Sequence, residues 1–261
     1  LDREYQVKAL IRHSSIPLNH PLLTWVKGDL NNQEALSPLS DKSDVSIHCA
    51  SAISLGEMDR DIVYDINVNG TKNLIQSCLQ KPIRFIYISS STATEDTINY
   101  EVFDENRSYR NDKAFFYAWT KAQSEIQVLE NVKKNDLDAI IIRPTAIVGP
   151  DDQGPSRFGR TILDLHRGKL PFITDGGYNM VDVRDLSQTI INSISKGEKG
   201  SIYLTGGQYI SLQELARIAC PTKIPSVLSL DLLIKLLPVI KFYEMFFKLK
   251  WPINKENYRL A

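Results

Sequence analysis

The chain has 261 residues, 43% hydrophobic and 24% charged, and its 31 basic and 31 acidic residues cancel. That composition suits a globular protein with a sizeable core. It offers no basic footprint for nucleic acid and no like-charge block of a disordered tail.

In chain order, short runs rich in Val, Ile and Tyr alternate with helical patterns. Residues 5–11, 45–50, 83–89 and 139–143 read as strands buried on both faces. Between them, residues 57–80 predict a helix interrupted at Gly70–Thr71. Residues 117–134 predict a second, with Ala118, Ala122, Ile126, Leu129 and Val132 on one face. The alternation β-α-β-α-β specifies an α/β fold, a doubly wound, Rossmann-like parallel sheet. Ligands of such sheets sit beyond the carboxyl ends of the strands.

The texture changes after Gly149–Pro150. A loop over 151–160 leads to a helix near 161–169, then to short strands near 180–183 and 201–205. Asp182 or Asp185 is placed to cap the helix between those strands. A smaller C-terminal substrate lobe is expected over 151–261, with 1–150 as the sheet domain and 178–205 returning to it. The apolar region 227–249 contains Asp231, Lys235, Lys241 and Glu244 and is broken by Pro238. It reads as two amphipathic helical pieces packed on that lobe rather than a membrane span. Cys49, Cys78 and Cys220 show no CxxC and no metal-ligand spacing, which predicts buried thiols in a reducing, cytoplasmic setting. His13 and His48 read as structural or surface histidines, and no cluster has the spacing of a metal site.

Two stretches carry chemistry. Ser89, Ser90 and Ser91 follow an apolar strand, where hydroxyls face the crevice of a doubly wound sheet or simply cap their own backbone. Tyr117 and Lys121 lie one helical turn apart on one face. An ammonium beside a phenol favours the phenolate and is expected to lower the tyrosine from about 10, which suits proton transfer near neutral pH.

Five segments in order carry a resemblance: VSIHCASAIS (45–54), INVNGTKNLI (66–75), YISSSTA (87–93), YAWTKAQSE (117–125) and IIRPTAIVGP (141–150). Together they resemble the extended short-chain dehydrogenase/reductases of the NAD-dependent epimerase/dehydratase type. Segments after residue 159 are similar to the dihydroflavonol-4-reductase-like branch, a neighbour of the 3β-hydroxysteroid dehydrogenases. The resemblance implies Ser90, Tyr117 and Lys121 as catalytic residues, with Ser91 as the alternative serine. It implies cofactor contacts at Arg12, Asp29, Leu30, Ala50, Ser51, Ala52, Asn67, Ser89, Tyr117, Lys121, Pro144, Thr145 and Ile147. In such enzymes the lysine also bonds the nicotinamide ribose, and Asn67 matches the asparagine that supports it.

The resemblance implies a nicotinamide cofactor held by a Gly-rich turn after the first strand. Gly28 is the first glycine here, so that turn is expected in a segment preceding Leu1. The strand at 5–11 ends in Ile11–Arg12 with no acid, which favours NADP over NAD. The expected activity is hydride transfer between NADP(H) and a carbonyl or secondary alcohol of a small molecule. A nucleotide-sugar epimerase with tightly held NAD is the alternative, and a non-catalytic cofactor sensor the third reading. A homodimer is plausible, and neither a membrane nor nucleic acid is an expected partner.

Overall fold

The computed structural model describes residues 4–12, 18–54, 58–97, 101–152, 154 and 156–229. In chain order the elements are β1 (Val7–Ile11), β2 (Leu23–Lys27), α1 (Gln33–Ser40), β3 (Val45–His48) and α2 (Arg60–Tyr64). A π-helical turn, Asp65–Asn69, runs straight into α3 (Gly70–Leu79), then come β4 (Arg84–Ile88), a 3-10 turn (Ser91–Ala93), α4 (Phe116–Asn135) and β5 (Ala139–Pro144). There follow β6 (Ala146–Val148), α5 (Arg157–His166), β7 (Phe172–Thr174), β8 (Gly177–Asp182), α6 (Val183–Lys196), β9 (Ile202–Thr205), β10 (Gln208–Ser211), α7 (Leu212–Ala219) and β11 (Ser226–Leu228).

The chain divides into two compact units, Leu1–Arg143 with Ile190–Leu204, and Pro144–Thr189 with Thr205–Ala261. The boundary therefore falls at Arg143, not 150, and the returning segment begins at Ile190, not 178. The reason is β8, which pairs parallel to β6 and antiparallel to β10 and so belongs to the second unit.

In the first unit, β3, β4 and β5 are parallel and β9 follows β5 in a four-stranded sheet. The segments RFIYI and AIIIRP suit a sheet covered on both faces, because every second residue is as apolar as its neighbours. Phe85, Tyr87, Ala139 and Ile141 pack with Leu36 of α1, Leu74, Ile75 and Cys78 of α3, and Val128 of α4. The alternate residues Ile86, Ile140 and Ile142 are equally buried. Arg84 anchors the returning helix: one guanidinium nitrogen donates to the carbonyls of Ser193, Ile194 and Gly197, capping the end of α6, while two others hold Asp138.

Three expectations are corrected. β1 and β2 form a separate parallel pair, and β3 lies at a sheet edge with Ile47 43% exposed, so neither β1 nor β3 is buried like β4. β2 went unpredicted because LTWVK is short and lacks the Val/Ile run of its neighbours. The helix of 57–80 is not interrupted at Gly70; helical structure continues from Arg60 to Leu79, and the irregularity is the π turn just before it. Gly70 is there for space, since a Cβ on it would lie 3.0 Å from that of Leu30. Of the cysteines, only Cys78 is buried; Cys49 is exposed and Cys220 intermediate, and all three are free thiols.

In the second unit, β6, β8 and β10 form one sheet and β7 pairs parallel to β11. Leu165 of α5 and Leu212, Leu215 and Ala216 around α7 close its core with Ile173 and Met180. Residues 226–228 form a strand rather than the start of a helix, and the helical tail expected beyond them lies outside the described residues.

Glu125 and Arg143 form an ion pair at 0% and 1% side-chain exposure. The arginine Nε lies 3.0 and 3.1 Å from the two carboxylate oxygens, a second nitrogen donates at 2.7 Å, and a third donates to the Glu105 carbonyl at 2.9 Å. The pair joins α4, β5 and the loop ahead of α4. Removing one partner strands the other charge, so Arg143→Met is expected to cost about 3–5 kcal/mol in denaturant unfolding. Lys134→Met, which breaks the exposed Lys134–Glu130 pair, should stay within about 0.5 kcal/mol.

Candidate active site

The carboxyl end of β4 is the centre of the site. Ser89 continues the ladder, its amide donating to the Ile142 carbonyl at 2.8 Å. Its side chain is buried, and its hydroxyl has no partner among the described residues. Ser90 adopts an extended conformation and caps the 3-10 turn, its Oγ accepting from the Thr92 amide and sharing a 2.9 Å bond with the Thr92 hydroxyl. Ser91 belongs to the turn itself, its carbonyl accepting from Thr94.

The π turn presents the second component. Asn67 is 2% exposed and bonded on every side. Its Oδ1 accepts from the Ala52 amide at 2.7 Å and the Ser51 hydroxyl at 3.1 Å. Its Nδ2 donates to the Ala52 carbonyl and to Thr120 of α4, both at 3.0 Å. One asparagine thus locks the loop after β3 onto α4. Its main-chain carbonyl accepts from the hydroxyls of Thr71 and Ser124. The direct partners of Asn67 are therefore the Ser51–Ala52 loop and Thr120.

α4 supplies the third component. Tyr117 is partly buried, and the hydroxyls of Ser51 and Ser90 face its phenol. Burial pushes the phenol up to about 12, against the pull of those two hydroxyls. This corrects the expectation that Lys121 lowers it. The Lys121 ammonium is turned to other partners: it donates to the Ile88 carbonyl at 2.8 Å and lies 4.8 Å from the centre of the Tyr87 ring. The lysine is 3% exposed, and burial lowers it to about 8, opposed by the charge of Glu125 one turn further on and by Cys49. At neutral pH the phenol keeps its proton and the amine its charge.

The remaining predicted residues fall in three places. Arg12 and Asp29 follow the ends of the paired strands β1 and β2, with Arg12 Nη1 3.7 Å from Asp29 Oδ2 and both side chains about half exposed. Leu30 is buried, and its carbonyl accepts from Asn73. Ala50, Ser51 and Ala52 form the loop after β3. Pro144 ends β5, and Thr145 and Ile147 lie in the second unit, the Thr145 amide donating to Thr205 and Ile147 42% exposed.

The residues present fit the ribose and nicotinamide of a dinucleotide. Ser89 offers a buried hydroxyl without a partner among the described residues, and Lys121 brings a buried charged donor. Arg12 and Asp29 offer a cation and an acceptor to the adenosine end. Three contributors were missed from sequence, Tyr87, Thr120 and Arg143, while His48 is structural as expected and His13 lies outside the described residues. His48 is a buried neutral ring, held well below the usual histidine range at about 3 by burial and Lys121, with Nε2 2.9 Å from the Thr71 hydroxyl. No periodicity marks such residues, because each is an ordinary strand or helix position whose partner lies far along the chain. Asn67 holds a buried backbone amide, so Asn67→Leu is expected to cost about 1–3 kcal/mol. It should also speed hydrogen exchange at Ala52; protection unchanged at Ala52 would show that other contacts hold the loop.

Comparison with known proteins gives the family and the fold. Residues 6–191 match the 3-beta hydroxysteroid dehydrogenase/isomerase family. A candidate dihydroflavonol 4-reductase of Synechocystis sp. is 31% identical over 236 residues, covering 87% of this chain and 68% of that protein. Sterol demethylase protein B of Methylococcus capsulatus is 29% identical, covering 82% and 66%. The mouse decarboxylating sterol-4-alpha-carboxylate 3-dehydrogenase is 29% identical, covering 76% and 54%. The chain thus spans between about half and two thirds of these relatives. Among solved structures, that of gox2253 superposes with a TM-score of 0.83 at 26% identity, covering 99% of this chain and 81% of that one. The dTDP-glucose 4,6-dehydratase of Bacillus anthracis, solved with NAD, shares the fold with a TM-score of 0.69 at 20% identity, covering 81% and 69%.

Proposed function

This chain belongs to the 3-beta hydroxysteroid dehydrogenase/isomerase family of NAD(P)-dependent enzymes, and on that premise we propose that it interconverts a carbonyl and a secondary alcohol of a small organic substrate. The observation that carries the proposal is the Tyr117 phenol, kept protonated by burial and faced by the hydroxyls of Ser51 and Ser90. When bound, the nicotinamide supplies or accepts the hydride. Ser90 donates a hydrogen bond to the substrate oxygen and fixes it beside the phenol. Tyr117 delivers its proton to that oxygen during carbonyl reduction and takes one back in the reverse direction. Lys121 contributes a positive charge below the reacting atoms and a donor to the ribose. Ser89 gives its free hydroxyl to the cofactor, and Asn67 keeps the Ser51–Ala52 loop in register with α4.

The substrate class that the relatives' names support is a fused-ring alcohol or ketone, a sterol or a flavonoid, rather than a nucleotide sugar. A UDP-glucose 4-epimerase of Vibrio cholerae is also similar, at 27% identity. The two readings separate on net cofactor turnover, since a reductase consumes NADPH stoichiometrically and an epimerase recycles its cofactor. NADP(H) is the proposed cofactor because the half-exposed Arg12 follows the end of β1, where it suits a 2′-phosphate. The free thiols support a reducing compartment such as the cytoplasm. Among the described residues no helix is long and apolar enough to cross a membrane.

Tyr117→Phe is expected to lower kcat by about 10²–10⁴-fold; near-normal turnover in this variant would exclude the mechanism. Carbonyl reduction should also fall as pH rises through about 8, where Lys121 loses its charge, and a profile flat to pH 10 would contradict that role. Arg12→Ala should weaken NADPH binding while sparing NADH, read by fluorescence titration. Equal loss for both would remove the argument for NADP.

A further inference from the structure

Lys121 has three N–H donors and is shut away from water, yet among the described residues one hydrogen bond, to the Ile88 carbonyl, holds it. The other near surface is an aromatic face. The ammonium nitrogen lies 4.8 Å from the Tyr87 ring centre, inside the range of a cation–π contact and in a buried setting where such contacts are strongest.

The ring is not free to move away. Tyr87 is 1% exposed near the end of β4, stacked on Phe85 with centroids 6.5 Å apart and planes 11° apart, and tilted against His48 at 5.5 Å. Ser124 and Thr71 engage its hydroxyl, and both bond the Asn67 carbonyl. The Asn67 network that sets the cofactor-side loop therefore also sets the ring beneath the lysine.

The groups facing Lys121 are few. From β3 and the residue after it come His48, a neutral ring, and Cys49; from β4 comes Tyr87; from α4 itself comes Glu125. Glu125 adds a favourable charge from one turn further along α4, a charge it shares with Arg143 through both carboxylate oxygens.

We propose that Tyr87 is a positioning residue: the face of its ring holds the Lys121 ammonium in place and in its charged form. This rests on the reading of Tyr117 and Lys121 as the reacting pair, but it can be tested apart from activity. Position 87 is replaced by Phe, by mono- and trifluorinated phenylalanines that keep the shape while draining the ring face, and by Leu. The Lys121 side-chain NMR signal, assigned by its loss in Lys121→Met, is then titrated with pH. The wild type and Tyr87→Phe should titrate together. The fluorinated series should move the lysine stepwise downward, by about one pH unit or tenfold in protonation for the trifluorinated ring, and Leu should do the same if it folds. A lysine that titrates identically across the fluorinated series overturns the proposal, as does a shift in Tyr87→Phe as large as that of the trifluorinated ring, which would assign the effect to the hydroxyl. If the titration moves as expected while no variant, wild type included, reduces any carbonyl, the proposal stands and the enzymatic reading fails.

Discussion

A lysine ammonium buried at the carboxyl end of a parallel sheet cannot be solvated by water, so the protein around it must do that work. Here the lysine comes from α4, and the groups that answer it come from β4, β3 and the helix itself. The Ile88 carbonyl is available because the pairing of β3 with β4 ends at His48 and Tyr87; the Tyr87 ring is available because the strand is covered on that face by α3 and α4. Displacing α4 by one residue would move Lys121 away from Ile88 and Tyr117 away from Ser90 together. The buried Glu125–Arg143 pair and the Asn67–Thr120 bond, both on α4, fix the helix in that register.

The same arrangement explains why the two central groups titrate as they do. Burial raises the phenol and lowers the amine, because in each case it disfavours the charged form. The site therefore holds an acid that keeps its proton and a cation close to losing its own. A tyrosine that stays protonated is suited to donating to a substrate oxygen. The lysine is the group that ties such a site to pH in the physiological range.

Much of this was legible in the sequence, for identifiable reasons. β4 and β5 were readable because a strand covered on both faces is apolar at every position. α4 was readable because its apolar positions recur on one face, whereas Tyr117 and Lys121 stood out only through the resemblance carried by five ordered segments, their spacing alone being a common helical pattern. What the sequence hid were relations between distant segments. β2 was too short to stand out, and the π turn before Gly70 looked like a break rather than the device that swings Asn67 inward. The expectation that Lys121 acidifies Tyr117 followed from adjacency on one face, yet the ammonium turns down toward β4 and the phenol up toward Ser51 and Ser90. The domain boundary shifted because the pairing of β8 with β6 and β10 is not written in any local pattern.

The central claim is that burial, not Lys121, sets the proton affinity of Tyr117. It is tested most directly by titrating the ¹³Cζ-labelled tyrosine signal of Tyr117 in the wild type and in Lys121→Met. The account predicts a phenol that stays protonated past pH 10 and titrates near 12, with little change when the lysine is removed. A phenol titrating below 10 in the wild type and rising on loss of the lysine would contradict it.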